Sequence, residues 1–251
     1  MELNLSGKNV LVSGASRGIG LAIVNAFVGE GCKVVCNSRD KKTLMASIAG
    51  MDSCHGVAGD MSDPIQAKLV VSKAIEILST LDIVVCNVGS GTSVPPGEES
   101  FVEWQRVFGL NFFSATNLVE ASREALRETK GVVVCISSIC GTEVIPGAPV
   151  TYTVAKAALN VYIKAISRPL GDEGVRVIGI APGNVLFEGS GWDKRLRSDP
   201  QGTSMMLERE VPLSRFGTAE EVANTAVWCA SEKAAFATGT IWVLDGGQVR
   251  S

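Results

Sequence analysis

Ser13-Gly14-Ala15-Ser16-Arg17-Gly18-Ile19-Gly20 joins a short apolar run to an amphipathic one. Lys8–Ser13 reads as a strand and Gly18–Gly31 as a helix, so the glycines occupy a strand-to-helix turn. Glycine lets the chain turn tightly and lets its backbone approach a pyrophosphate resting on the amino end of the helix. The spacing is Gly-x-x-x-Gly-x-Gly, and no Gly-Lys-Ser/Thr follows, which disfavours a Walker-type phosphate loop. Gly14, Ser16, Arg17, Gly18, Ile19 and Gly20 are therefore candidate dinucleotide contacts.

The same alternation continues outward from this turn. Strands are expected at Lys33–Asn37, Ser53–Val57, Leu81–Asn87, Gly131–Ser137, Val175–Ala181 and Thr240–Leu244. Helices are expected over Asp40–Ala49, from Asp63-Pro64 onward, over Glu98–Thr129 with a break or bend around Gly109, and over Thr151–Asp172 and Ala219–Ser231. Asp63 is suited to the N-cap and Pro64 to the first turn. Pro169 should bend or end its helix near the last turn. Seven strands with helices between them predict an α/β fold: a doubly wound parallel sheet with helices on both faces, in one domain over 1–251. Ligands of such sheets bind beyond the carboxyl ends of the strands.

Composition narrows the function. The 251 residues are 46% hydrophobic and 20% charged with net charge −3, which fits a soluble chain with a substantial core. The mild acidity points away from nucleic acid and from anionic membrane. No apolar run reaches ~18 residues, so no membrane span is expected. Met1–Val12 lacks the basic region of a secretory leader. Cys32, Cys36, Cys54, Cys86, Cys135, Cys140 and Cys229 show no metal-ligand spacing and read as reduced thiols of a cytoplasmic protein. His55 is the only histidine, which leaves no set for a His-based triad or a zinc site, and no metal is expected.

Chemistry is carried further along. Tyr152 and Lys156 lie four apart and share one helix face. A phenol titrates near ~10, and a cation beside it favours the phenolate and should lower that value toward neutrality. Ser138 ends an apolar run upstream, where its hydroxyl can meet a substrate oxygen.

Taken in order, these motifs resemble the short-chain dehydrogenase/reductase family, and among its members the 3-oxoacyl-[acyl-carrier-protein] reductase-like ones. The resemblance rests on Gly14–Gly20, Asp60, Cys86-Asn87-Val88-Gly89, Asn111, Ser138, Tyr152 with Lys156, Pro182-Gly183 and Asp245-Gly246-Gly247. It implies a Rossmann-type domain binding NAD(H) or NADP(H), and an oxidoreductase interconverting a carbonyl and a secondary alcohol. It implies that Tyr152 is the general acid or base, that Lys156 lowers its pKa and bonds the nicotinamide ribose, and that Ser138 polarises the substrate oxygen. Asn111 would hold a water in a proton relay. Asp60 and Met61, with Asn87, Val88 and Gly89, would line the adenosine side, and Pro182, Gly183 and Val185 would lie near the nicotinamide. An epimerase or dehydratase with a retained cofactor and a dinucleotide-binding regulatory protein without turnover are the alternative readings.

Cofactor choice follows from charge. Val35-Cys36-Asn37-Ser38-Arg39 ends the second strand without a carboxylate, and Arg39 and Arg17 suit a 2′-phosphate, favouring NADP(H) over NAD(H). Asp40 is the residue that could neutralise Arg39. Two departures from the family pattern stand out: Phe187 replaces a threonine, and fourteen positions separate Ser138 from Tyr152, one more than expected. Substrate specificity is assigned to a lid over 186–211, a long stretch with Trp192, Lys194, Arg195, Arg197, Met205, Met206 and Leu207, whose charges also read as a solvated helix balanced by Asp193, Asp199 and Glu208. Glu143 and Val144 should face the pocket. Apolar residues on several faces of the long helices (Phe101, Trp104, Phe112, Val161, Ile166) predict a homodimer or homotetramer.

Overall fold

Along the first strand, Val10 and Val12 point to one side and Leu11 to the other, and all three are fully buried. A strand covered on both faces reads as a continuous apolar run, as Val132–Ile136 also does. The computed structural model describes residues 2–250. Met1 and Ser251, the ends of the expected domain, lie outside the described residues.

Seven parallel strands form the main sheet: β1 (Asn9–Val12), β2 (Lys33–Ser38), β3 (Cys54–Ala58), β4 (Ile83–Cys86), β5 (Val132–Ile136), β6 (Arg176–Pro182) and β9 (Ile241–Leu244). Their order is β3-β2-β1-β4-β5-β6-β9, so the winding reverses between β1 and β4. Such a reversal opens a crevice at the carboxyl ends, where dinucleotides bind in this kind of sheet. Residues alternating along the strands feed two cores. Val10, Val12, Val34 and Ile178 pack with α1 (Gly18–Gly29) and α9 (Ala219–Ala230); Leu11, Val35, Val84 and Val177 pack under α3 (Pro64–Leu78), α5 (Ser114–Thr129) and α6 (Val150–Asp172). The expected single-domain, doubly wound architecture is the one observed.

Helix boundaries follow local chemistry. Asp63 caps α3 by accepting from Ile65 and Gln66, with Pro64 in the first turn. Asp40 caps α2 (Lys41–Ser47), its carboxylate 2.6 Å from the Thr43 amide. The break expected around Gly109 is a π turn, Gly109–Phe113, joining α4 (Phe101–Phe108) to α5. Pro169 does not end α6, which runs on to Asp172.

The stretch after β6, expected to hold at most a solvated helix, is the largest correction. It holds a two-residue strand β7 (Val185–Leu186), paired with β8 (Gly217–Thr218), and two helices, α7 (Gly191–Ser198) and α8 (Pro200–Glu210). Ser190 and Asp199 cap these helices by accepting amides of Asp193 and Gly202. Both cap signals stand in the sequence, but Gly191 and Gly202 inside the helices obscured the pattern.

Candidate active site

The carboxyl ends of β4 and β5 and the first turns of α6 converge on Ser138, Tyr152 and Lys156. Ser138 follows β5 in extended conformation, buried, and its Oγ accepts the Cys140 amide at 3.2 Å. The Ser138 side chain lies near enough to the Tyr152 phenol to favour its ionised form, so the longer interval between them does not keep them apart. The extra length is taken up by a 3₁₀ turn at Ile139–Gly141 and by a loop in which Gly147 adopts φ +80°, before Val150 opens α6.

Lys156, only 3% exposed, donates from Nζ to the Ile136 carbonyl at 2.9 Å and lies 6.0 Å from the centre of the Tyr152 ring. Burial pulls the lysine down to about 8. Burial also pushes Tyr152 up to about 12, the nearby Ser138 side chain opposing it. The expected lowering of the phenol by Lys156 is therefore absent in this arrangement. The ammonium is turned to a main-chain carbonyl, and the cost of removing the phenolate from water dominates.

Asn111 sits in the π turn, 1% exposed. Its Oδ1 accepts the Ser90 amide at 2.9 Å, and its Nδ2 donates to the carbonyls of Ser90 and Val107 at 3.1 Å. The wide turn aims this side chain at the loop after β4, a placement π turns often serve. Gly89 is fitted between the two groups: a Cβ there would lie 2.9 Å from Asn111 Oδ1 and 3.2 Å from Lys156 Nζ.

One supporting group escaped the sequence reading. Ser93 Oγ meets Thr151 Oγ1 at 2.7 Å and donates to Glu103, which is held by Arg106. That chain ties the residue before Tyr152 to α4. Its members are ordinary polar residues far apart in sequence, so no local signal marks them.

On the dinucleotide side, the glycine turn meets the amino end of α1, whose first amides have no side-chain cap. Uncapped helix amides are donors free for a phosphate. Ser16 Oγ accepts from Ser38 Oγ at 3.2 Å, while Arg17 and Arg39 are exposed. Asp40 is spent on its helix cap, and Arg39 instead lies 3.9 Å from Asp60. Asp60 itself accepts from the Ser62 amide and hydroxyl. Asn87 is turned inward, donating to the carbonyls of Ser13 and Gly14 at 3.0 and 3.1 Å. Ile19 and Val88 pack partly buried on the core, and Met61 is fully buried with its carbonyl accepting from Asn117 at 3.0 Å. Pro182 ends β6, Gly183 abuts Asp245, and Val185 is buried in β7. This donor set, cationic at one end and amide-rich at the turn, fits a nicotinamide dinucleotide.

Of the lid residues, Trp192 packs against Phe216 with the rings tilted and their centres 5.4 Å apart and carries Arg195 over its ring, and Arg197 pairs with Asp193. Met206 accepts from Asn184. Glu143 accepts the Arg250 amide, and Val144 is exposed.

A family model described as enoyl-(acyl carrier protein) reductase matches residues 14–248. The chain belongs to the short-chain dehydrogenase/reductase family. It is 31% identical to the 3beta-hydroxysteroid dehydrogenase 1 of Eggerthella lenta, over 97% of this chain and 94% of that one. L-sorbose reductase from Gluconobacter frateurii, solved with NADPH and L-sorbose, superposes with a TM-score of 0.93 at 28% identity, covering 100% of both chains. A 7 alpha-hydroxysteroid dehydrogenase solved with NADH and 7-oxo glycochenodeoxycholic acid gives 0.90 at 25% identity, over 100% of this chain and 97% of that one. As a short-chain dehydrogenase/reductase, this protein is an oxidoreductase of CH–OH groups that uses a nicotinamide dinucleotide and interconverts a carbonyl and an alcohol. The epimerase, dehydratase and regulatory readings are not favoured. Among the described residues, no group of side chains could hold a metal ion, and no helix is long and apolar enough to cross a membrane.

Proposed function

We propose that this enzyme is an NADP(H)-dependent cytoplasmic carbonyl reductase in which Tyr152 is the proton donor, Ser138 the second donor to the substrate oxygen, and Lys156 the cation behind them. The observation that carries this reading is the placement of the Ser138 side chain next to the Tyr152 phenol, with the buried Lys156 ammonium behind them. A phenol held at about 12 is protonated at neutral pH, the form that can donate, and approach of Lys156 to the phenol would bring its pKa back toward the operating range. Two hydroxyls on one carbonyl oxygen favour the charge that develops there during reduction. When bound, the nicotinamide supplies the hydride or takes it up. Lys156 would then exchange the Ile136 carbonyl for the ribose and the phenol. Asn111, by fixing Ser90 and abutting Gly89, keeps the wall beside Lys156 in place, and its relay through a water remains part of this proposal.

The absence of any carboxylate on β2 up to Arg39, with Asp40 committed to its cap, favours a 2′-phosphate near Ser16, Arg17, Ser38 and Arg39. The segment 186–211 would cover the substrate, with Trp192 and Met206 as apolar surface. Exposed Phe101 and Val102 on α4, Phe113 in the π turn and Val161 on α6 support a homodimer or homotetramer.

The test is a panel of acyl-thioester, sugar and steroid ketones followed at the NADPH absorbance band, with NADH in parallel. Turnover with NADPH is expected, and Tyr152→Phe should lower kcat by about 10²–10⁴-fold with cofactor affinity kept. Undiminished turnover in Tyr152→Phe would falsify the assignment.

A further inference from the structure

The three glycines of the turn are bare for different reasons. A Cβ on Gly14 would lie 2.9 Å from Asn87 Nδ2, and one on Gly20 would lie 2.2 Å from the Gly14 carbonyl oxygen. Both are small because the turn packs against itself and its neighbour strand. Gly18, at φ +54°, is in a backbone conformation that favours glycine, but the nearest atoms to its side-chain position do not belong to the turn. The space its side chain would take is filled by the Phe187 ring, with Cε2 2.5 Å and Cδ2 and Cζ 2.8 Å from the ideal Cβ position. In a dinucleotide turn, a bare glycine of this kind lets the backbone approach the pyrophosphate. A second contact lies beside it, where Arg17 Nη1 comes 3.6 Å from the ideal Cβ position of Gly189. The segment after β7 thus lies across the turn at two adjacent points.

We propose that Phe187 is a displaceable plug in the dinucleotide seat, and that it sets how fast and how tightly the cofactor binds. The inference rests on the reading of the glycine turn as that seat. The ring rides on a small rigid unit. The Phe187 amide faces Ser190 Oγ at 3.5 Å, Ser190 accepts the Asp193 amide at 3.0 Å, and Asp193 accepts the Gly189 amide at 2.8 Å. This unit hangs from a strand of only two residues and passes through Gly189 at φ +74°. It can therefore move as a body with few main-chain bonds to break, as lids do. Against that, the ring is half-buried against the hydrophobic core, so the seated position is the favoured one without ligand. A binding-competent state held to a minor fraction reduces apparent affinity by that fraction.

The experiment is stopped-flow binding of NADPH to the whole protein without substrate, read by NADPH fluorescence. For the native chain the observed rate should level off with rising NADPH at the rate of ring release. In Phe187→Ala and Phe187→Thr it should climb without levelling, and Kd should fall about tenfold. Two variants of different size guard against a folding defect, which melting curves would reveal. Unchanged rates and Kd overturn the plug. Weaker binding in both folded variants also overturns it, because the ring would then be a platform for the cofactor. Arg17→Glu tests the seat separately: loss of NADPH binding keeps the glycine turn as the seat even if the plug fails, whereas undiminished binding removes that reading and the plug with it.

Discussion

Lys156 Nζ bonds the Ile136 carbonyl and stands 6.0 Å from the centre of the Tyr152 ring, so the cation is held in reserve rather than against the phenol. Keeping it there is costly, since burial lowers the lysine from 10.5 to about 8. At about 1.4 kcal/mol per pH unit this amounts to roughly 3 kcal/mol of stability forgone below pH 8. Between pH 8 and 10.5 the unfolded chain binds the proton and the folded one does not, so stability rises with pH and the cost fades. Lys156→Met should therefore raise Tm at pH 7 by several degrees while removing turnover. Melting curves of both proteins at pH 7 and pH 10 check this, and the difference between them should shrink at the higher pH.

The same lysine should shape the pH profile. If Lys156 stabilises the oxygen charge in reduction, kcat/KM should be flat below pH 8 and fall about tenfold per unit above it, as the ammonium is lost. Tyr152, at about 12, stays protonated throughout that range. A profile flat to pH 10 would assign the charge stabilisation to Ser138 and the main chain instead.

Cofactor preference turns on Arg39. Its neighbour Asp40 is bonded to Thr43, which holds that carboxylate below its usual range, and it therefore leaves Arg39 to face Asp60. The Arg39–Asp60 pair is exposed and weak, so a 2′-phosphate can take the guanidinium at little cost. Arg39→Asp should raise the NADPH Kd about 100-fold and leave NADH binding equal or tighter. Titration of both cofactors by fluorescence decides it, and an unchanged NADPH Kd would move the discrimination to Arg17 and Ser38.

Much of this could be read from the chain because the relevant physics is local. Gly14–Gly20, the Asp63-Pro64 start and the wholly apolar Val132–Ile136 each signal their element within a few residues, and together they fix a parallel sheet with its site at the strand ends. Tyr152 and Lys156 were also legible, being one helical turn apart. What the sequence could not convey depends on distant partners. The direction of the Tyr152 shift is set by burial, the Ser93–Thr151–Glu103 chain spans three elements, and the contact of Phe187 with Gly18 joins residues 169 positions apart. The helices Gly191–Ser198 and Pro200–Glu210 were not delimited because an apolar period is hard to see when glycine, charge and tryptophan alternate.

Far from the chemistry, Arg176 opens β6 at the amino end of the sheet and donates to five carbonyls, those of Cys229, Ala230, Ser231, Ala234 and Ala237, at 2.9 to 3.4 Å. These include the last orphan carbonyls of α9, so the guanidinium acts as its C-terminal cap and complements its dipole. Among the described residues no carboxylate pairs with the cation, and burial lowers its pKa. Lysine is a point donor and cannot span the same fan of acceptors. Arg176→Lys and Arg176→Met should each lose stability, about 1–2 and 2–3 kcal/mol respectively, lowering Tm by a few degrees per kcal/mol. Amide exchange should quicken first in the last turn of α9 and in Glu232–Ala234. Because Ser138, Tyr152 and Lys156 lie at the opposite end of the strands, kcat per folded molecule should not change. A drop in kcat at temperatures well below Tm would show that the two ends of the sheet are coupled, contrary to this account.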